Sequence, residues 1–270
     1  MAYRLLALDL DGTLLRSDQR VDDDDVAAIA ELQAAGVTVT IATGRLQSGA
    51  VGAARACAID GVIACCEGSH LVELASNTTL HHHPMSTDMI ALLRSTIGAH
   101  EIASFVFDAQ GIHHDHAGAP YAGYIATWSP NLRVVEEELA WQTLPLAAVG
   151  IGDEDAVRSA ATTLAEHAGT RFSVSFAVSA YPGKYAVLVR AAGPSKGTAL
   201  RELCQMTGCS VDEAVCVGDW FNDVPMFEVA GRSFAMGSAP DVVRAKATDV
   251  LTAQAGAGGG IAEAIRRAWG

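Results

Sequence analysis

The sequence predicts an α/β fold: a Rossmann-like, doubly wound parallel sheet covered by helices, with a second α/β domain inserted into it. Three observations predict it. Short apolar runs of strand character recur, each followed by a segment with helical spacing. This alternation stops near residue 84 and resumes after 186, and between those limits the texture changes to amphipathic strands. The expected domains are therefore 1–83 with 187–270, and an inserted 84–186. With 270 residues, 50% of them hydrophobic, both can bury a core.

Taken in order, residues 3–8 and 37–42 read as strands, and 24–35 between them sets Val26, Ile29, Ala30 and Leu32 at helical spacing. The acidic run Asp22 to Asp25 opens that helix, where carboxylates satisfy free N–H groups and favour the positive dipole end. A helix over 46–57 and a buried strand over 61–65 follow, the apolar run expected of a parallel sheet. The insertion opens with a hairpin of 101–108 and 111–116 turning through 109–111. Strands at 146–151, 172–178 and 185–190 come next, with a helix from Asp153 to His167 among them. The core pattern then resumes with helix 196–207, strand 214–217, helix 223–230, the apolar run 233–236, helix 239–246 and strand 249–251.

Charge and composition narrow the partners. A net charge of −13 repels phosphate backbones and anionic membranes, so neither nucleic acid nor membrane is expected. No apolar run approaches the roughly 20 residues that span a bilayer. The first residues lead directly into a strand pattern without a cleavage region, so a cytoplasmic monomer or homodimer is expected. The six cysteines form no Cys-x-x-Cys pair and read as buried reduced thiols.

Four groups carry chemistry. Asp9 and Asp11 stand two residues apart where the first strand opens into a loop, the edge at which α/β sheets bind ligands. Such a pair can divide two tasks: one carboxylate attacks phosphorus, and the other protonates a leaving alcohol and deprotonates water. Thr43-Gly44-Arg45 ends the second strand, and a hydroxyl with N–H groups opening a helix suits a phosphoryl oxygen. A helix cap would explain that tripeptide equally well. Lys196 lies at the start of a helix, where its charge is misplaced for the dipole; it can neutralise a phosphoryl group and the attacking carboxylate, or it can be a solvated surface lysine. Gly218-Asp219-Trp220-Phe221-Asn222-Asp223 adds two acids and an amide at a third strand end. Acids packed together resist ionisation unless a cation is present, and oxygen-only donors favour Mg²⁺ over zinc.

At these residues the sequence resembles the haloacid dehalogenase superfamily, and within it the Cof-type phosphatases with a large α/β cap. Asp9-Leu-Asp-Gly-Thr-Leu-Leu, Ile41-Ala-Thr-Gly-Arg45, Ser195-Lys-Gly-Thr-Ala-Leu200 and Gly218-Asp-x-x-Asn-Asp-x-x-Met226 match the four motifs in order, across nearly the whole chain. The resemblance implies that Asp9 is the nucleophile and a Mg²⁺ ligand, and that Asp11 is the acid/base and ligates through its backbone carbonyl. It implies Asp219 as third ligand, Asp223 as an acid orienting metal-bound water, Asn222 as a phosphate or metal-water contact, and Thr43 and Lys196 as the phosphoryl clamp. The substrate implied is a small phosphate ester, most commonly a sugar phosphate, with flavin mononucleotide or pyridoxal phosphate behind it. Tyr121, Tyr124, Trp128, Tyr181 and Lys184 are candidate selectors in the cap or ordinary packing there. A phosphotransferase or phosphomutase would share the aspartyl-phosphate, and a non-catalytic phospholigand module would share the fold.

Two departures stand out: Glu67-Gly68-Ser69 replaces the family's usual Asn-Gly-Ala, and Met236-Gly237-Ser238-Ala239 its Met-Gly-Asn-Ala. Glu67 is expected to disfavour a second anionic group nearby. The runs His81–His83 and His113–His116 read as solvated or substrate-facing side chains rather than a closed zinc site.

Overall fold

The computed structural model describes residues 3–168, 171–179 and 181–270. In chain order it forms β1 (Leu5–Leu8), α1 (Asp23–Ala34), β2 (Thr38–Ile41), α2 (Gln47–Ala56), β3 (Val62–Cys65), β4 (His70–Glu73) and β5 (Thr78–His82). There follow α3 (Thr87–Ala99), β6 (Ala103–Phe107), β7 (Ile112–His114), α4 (Ala122–Ile125), β8 (Leu132–Val134), α5 (Glu137–Ala140), β9 (Ala147–Gly152), α6 (Glu154–Ala168), β10 (Phe172–Val178) and β11 (Tyr185–Ala191). The remainder is α7 (Lys196–Thr207), β12 (Ala214–Gly218), α8 (Val224–Phe227), β13 (Arg232–Ala235), α9 (Asp241–Arg244), β14 (Asp249–Val250) and α10 (Gly260–Trp269).

Two compact units result, one holding the chain up to Gly44 with Ala50–His81 and Pro194–Gly270, the other Arg45–Gly49 with His82–Gly193. The second boundary falls after 193 rather than 186, because β11 pairs antiparallel along its length with both β9 and β10.

The first unit is built on a five-stranded sheet of order β14-β13-β12-β1-β2, every pair parallel. Beside β2, β3 makes one parallel bridge, Ala42 to Ala64, and then pairs antiparallel with β4. Strand alternation sends side chains to two faces. Leu6, Leu8, Val215 and Val217 join Ile29, Leu32, Ala54 and Ile261 in one apolar cluster. Leu5, Ala7, Ala214 and Cys216 join Leu200, Leu203, Met226 and Val243 in the other. Both faces are therefore covered, as a parallel sheet requires. The helices expected over 223–230 and 239–246 shorten to α8 and α9; a 3₁₀ turn over Phe221–Asp223 precedes the first, and Pro240 caps the second.

Two helix starts fix the positions of buried charged side chains. At α7 a capping box sets the first turn: Ser195 Oγ accepts from the Thr198 N–H at 3.1 Å and Thr198 Oγ1 accepts from the Ser195 N–H at 2.9 Å. Lys196 is thereby the first helical residue. At α1, Asp22 caps its own helix by accepting from the Asp24 N–H. Asp25, fully buried, instead serves α10, accepting from the Gly259 N–H at 2.9 Å and the Ala262 N–H at 2.8 Å.

In the second unit the six-stranded sheet runs β10-β11-β9-β6-β7-β8, antiparallel apart from the β7–β8 pair. The expected hairpin is present as β6 and β7. Helix α3 was not anticipated, although its buried Met89, Leu93, Thr96 and Ile97 follow helical spacing. His113 and His114 are buried rather than solvated: His113 Nε2 lies 2.9 Å from Asp108 Oδ2, and His114 Nδ1 lies 2.8 Å from the Asp115 carbonyl. No helix among the described residues is long and apolar enough to cross a membrane. Five of the six free cysteines are buried, Cys209 being intermediate.

Replacing Asp25 with Ala removes two bonds from a charged acceptor to the start of α10 and is expected to cost about 2–3 kcal/mol. Equilibrium denaturation in urea measures it, and the loss is to appear in the midpoint.

Candidate active site

Because β12, β1 and β2 are parallel, their C-terminal ends share one edge, and the chain places Asp219, Asp9 and Thr43 directly there. Backbone bonds hold these positions. The Asp9 N–H donates to the Val217 carbonyl at 3.0 Å and the Thr43 N–H to the Ala64 carbonyl at 2.9 Å. Lys196, at the start of α7, has no exposed surface, and its ammonium donates to Asp9 Oδ1 at 2.5 Å and to Asp223 Oδ1 at 2.6 Å. It is an internal ion bridge, not a surface lysine.

Asp223 is fully buried, and its other oxygen accepts from the backbone N–H groups of Asp219 and Trp220 at 2.8 and 2.9 Å. Its carboxyl is packed so closely on Gly218 that a Cβ there would lie 2.4 Å from Asp223 Cγ. Asp219 in turn accepts from the Thr13 hydroxyl at 2.9 Å. Gly12, at φ +83°, lies under it: a Cβ would stand 2.5 Å from Asp219 Oδ2. Any side chain at 12 would close that cradle.

The electrostatics follow from packing three acids and one ammonium out of water. Burial pushes the Asp9 carboxyl well above its ordinary value, with Asp223 and Asp219 adding to the rise and Lys196 opposing it. Burial and Asp223 push Asp219 up to about 6. For Lys196 burial alone would lower the pKa, but Asp223, Asp9 and Glu67 outweigh it and keep the ammonium charged.

A second strand of the network comes from Glu67. Cys66, Glu67 and Gly68 all have positive φ, at 49°, 58° and 89°, in the 3₁₀ turn after β3. That kink points a buried carboxylate back at the site, where Glu67 Oε1 accepts from Asn222 Nδ2 at 2.7 Å and its own N–H donates to the Thr43 carbonyl at 2.9 Å. A Cβ on Gly44 would lie 2.6 Å from the same oxygen. The structure thus brings Asp9, Lys196, Asp219 and Asp223 together, with Asn222 and the Thr43–Gly44 turn joined through Glu67. Asp11 is exposed at the start of the following turn. The other departure, Ser238, is structural: its hydroxyl accepts from the Ala255 N–H at 2.8 Å.

The remaining candidates lie in the second unit. Arg45 is buried and donates to the Gly49 carbonyl at 3.3 Å. Tyr121 and Tyr181 meet edge to face at 5.2 Å, while Tyr124 lies 5.3 Å from Trp128, which also packs against Phe107. Lys184 pairs with Asp153 at 2.6 Å. Sequence reading missed Trp220 and Phe221, large aromatics 56% and 53% exposed that meet edge to face at 5.4 Å on the Asp219 loop.

Asp9, Asp219 and Asp223 each offer an oxygen within 4.8 Å of the others. Asp223 is directed at Lys196 and two N–H groups, so Asp9 and Asp219 are the pair suited to a cation. The donors are hard oxygens, and the raised pKa values are those of carboxylates that a dication would relieve.

A doubly covered parallel sheet whose C-terminal edge gathers an aspartate after the first strand, a lysine opening a helix and a Gly-Asp-x-x-Asn-Asp turn defines one class of enzyme. The chain belongs to the haloacid dehalogenase-like hydrolases, whose family model matches residues 6–265. Among its relatives is the pyridoxal phosphate phosphatase YbhA of Escherichia coli, 29% identical over 93% of this chain and 94% of that one. The 5-amino-6-(5-phospho-D-ribitylamino)uracil phosphatase YcsE of Bacillus subtilis is 25% identical over 97% and 94%. In fold, a haloacid dehalogenase-like hydrolase from Bacteroides thetaiotaomicron superposes with a TM-score of 0.86 at 24% identity, over 98% and 99% of the two chains.

A divalent cation is expected to raise the melting temperature at pH 7.5, by an amount equivalent to about 2–3 kcal/mol when supplied at about a hundred times its dissociation constant. The gain is to shrink as pH falls below about 6, where Asp219 takes up a proton that competes with the cation. Without the cation the sign reverses: an acid raised from 3.8 in the native state loses stability as pH climbs through that window. Thermal denaturation at pH 5 and 7.5, with and without Mg²⁺, measures both.

Proposed function

We propose that this phosphoric monoester hydrolase cleaves small phosphate esters through an aspartyl-phosphate on Asp9, with Mg²⁺ held by Asp9 and Asp219. The observation that carries the reading is the buried Lys196 ammonium, bonded to Asp9 and Asp223 together. An ammonium held beside a buried carboxylate opposes the rise that burial imposes on its pKa and aims one oxygen, leaving the other to attack. When bound, Mg²⁺ supplies charge neutralisation for phosphoryl transfer.

The steps fall to this chain's own groups. Asp9 attacks phosphorus while the ester bond to the leaving oxygen breaks, and Asp11 gives its proton to that oxygen. Asp11, now a carboxylate and accessible to solvent, takes a proton from the incoming water. Attack of that water on phosphorus releases phosphate and restores Asp9. Lys196 offsets phosphoryl charge throughout, and the Thr43 hydroxyl and following N–H groups accommodate phosphoryl oxygens.

For the leaving group, the expectation of a sugar phosphate has a rival that two observations favour. Trp220 and Phe221 expose an aromatic surface on the loop that carries Asp219, suited to a planar ring. Two relatives aligned along nearly their whole length are named for phosphates of a pyridoxal and of a uracil derivative. Buried reduced thiols and the absence of a membrane-crossing helix among the described residues are compatible with a cytoplasmic enzyme.

Phosphate release with Mg²⁺ across sugar phosphates and heterocyclic phosphates such as pyridoxal phosphate tests the reading. Asp9→Asn is expected to lose activity by on the order of 10³-fold or more, with no phosphoenzyme trapped by acid quench. Turnover at the wild-type rate in that variant would overturn the mechanism. Trp220→Ala is expected to raise KM for heterocyclic esters about tenfold, stacking on an aromatic being worth about 1–2 kcal/mol, and to leave sugar phosphates unchanged.

A further inference from the structure

We infer that Cys204 and Cys209 form a redox site: a peroxide converts the two thiols into a disulfide that clasps the C-terminal end of α7, and a thiol reductant reopens it. The pair lies at the opposite end of α7 from Lys196, apart from the phosphoryl chemistry.

Three observations carry it. The first is the helix end. Gly208, at φ +68°, closes α7 in the left-handed conformation. Two backbone bonds cross there: the Cys209 N–H donates to the Cys204 carbonyl at 3.0 Å, and the Gly208 N–H to the Gln205 carbonyl at 3.3 Å. Together these bonds make a Schellman motif, which folds the residue after the glycine back over the last turn and brings its side chain against the one five positions earlier. That contact is ordinarily between two apolar side chains. Here both are cysteine. Cys204 belongs to one apolar cluster of the first unit, and Cys209 packs against that cluster.

The second is the bonding of the sulfurs. Cys209 is the hydrogen-bond partner of the Cys204 thiol. The Thr207 hydroxyl gives its proton to the Leu203 carbonyl at 2.8 Å, so at 3.3 Å from Cys209 Sγ it accepts from that thiol. Disulfides demand a close approach of the two Cβ atoms, and a backbone fixed by the motif supplies it without rearrangement.

The third is unequal access. Cys204 is buried, and burial together with the neighbouring Cys209 pushes its thiol up to about 12. Cys209 is half-buried while the other five cysteines are buried, so a small oxidant meets Cys209 first. After losing its proton to water, the Cys209 sulfur attacks one oxygen of hydrogen peroxide. The O–O bond breaks, hydroxide leaves and takes up a proton as water, and a sulfenic acid remains on Cys209. Cys204 then attacks that sulfur: the S–S bond forms, the S–O bond breaks, and the departing hydroxide carries off the Cys204 proton as a second water. The two sulfurs give up two electrons between them, and one peroxide becomes two waters. A sulfenic acid with a thiol already in contact is captured before it advances to the irreversible sulfinic acid.

Peroxide treatment of the full-length protein, followed by unfolding and alkylation with iodoacetamide, tests the assignment. Cleavage after glutamate releases residues 203–213, which hold both cysteines. Apart from oxygen taken up by Met206, this fragment from oxidised wild type is expected to be lighter by two hydrogen atoms and to carry no alkyl group, and dithiothreitol is to restore alkylation at both sulfurs. In Cys204→Ser the partner is gone, and Cys209 is expected to pass to a sulfinic acid that dithiothreitol does not reverse. Cys209→Ser, changed at the half-buried position, serves where the Cys204 variant does not fold, and is expected to leave Cys204 fully alkylated at the same dose. A wild type in which Cys209 reaches sulfinic acid while Cys204 stays a free thiol, in which Cys209 bonds a second copy instead, or in which both cysteines remain alkylated would overturn the inference.

Discussion

The Lys196 ammonium, sealed from water between Asp9 and Asp223, is the interaction on which the first unit depends. An ion removed from water is tolerated only with partners in good geometry, and losing one partner leaves a buried charge that costs several kcal/mol. Three chain segments far apart in sequence must therefore arrive together: the end of β1, the start of α7 and the turn after β12. Each has its own local device for doing so. The parallel register sets Leu8 beside Val217 so that the Asp9 N–H meets the Val217 carbonyl, the Ser195 capping box fixes where α7 begins, and Asp223 ties its loop by accepting from two N–H groups. Reactivity and fold draw on the same contacts.

Much of this was legible in the chain because the relevant signals are local. Apolar runs marked the strands, and three runs of the sheet core led into residues able to do chemistry: Asp9, Thr43 and Asp219. Lys196 stood out because its charge is misplaced for a helix start, and the structure supplies the reason, since the ammonium is turned inward. What stayed hidden depends on partners distant in sequence. Nothing near Asp223 announces that both its oxygens are taken by Lys196 and by backbone. Nothing near Asn222 announces Glu67, 155 positions earlier. The histidines of β7, expected to be solvated or substrate-facing, are hidden for a related reason: Asp108, which accepts from the Gln110 and Gly111 N–H groups, also receives His113 inside the hairpin.

Helices α3 and α10 show the opposite failure. Their apolar spacing was present, yet small or polar residues contribute part of each buried face, Thr96 in α3 and Gly260, Ala262 and Ala264 in α10. Burial in these places is set by closeness of packing more than by side-chain size. Glycine does similar work within the site, where Gly12, Gly44 and Gly218 each leave room for a carboxylate rather than for a turn alone.

The bond from Asp25 to the start of α10 has a consequence for how the protein is made. Its acceptor emerges from the ribosome early, but its donors lie 234 and 237 residues later. Until α10 has been synthesised, the carboxylate under α1 has no helix end to satisfy it, and the apolar face holding Ile29 and Leu32 lacks Ile261 and Ala264. The α1 face of the first unit therefore stays incomplete during translation of the intervening chain, whereas the second unit, continuous apart from its short 45–49 segment, has all its strands beforehand. Cover of the α1 face thus waits on a helix made after the whole of the second unit.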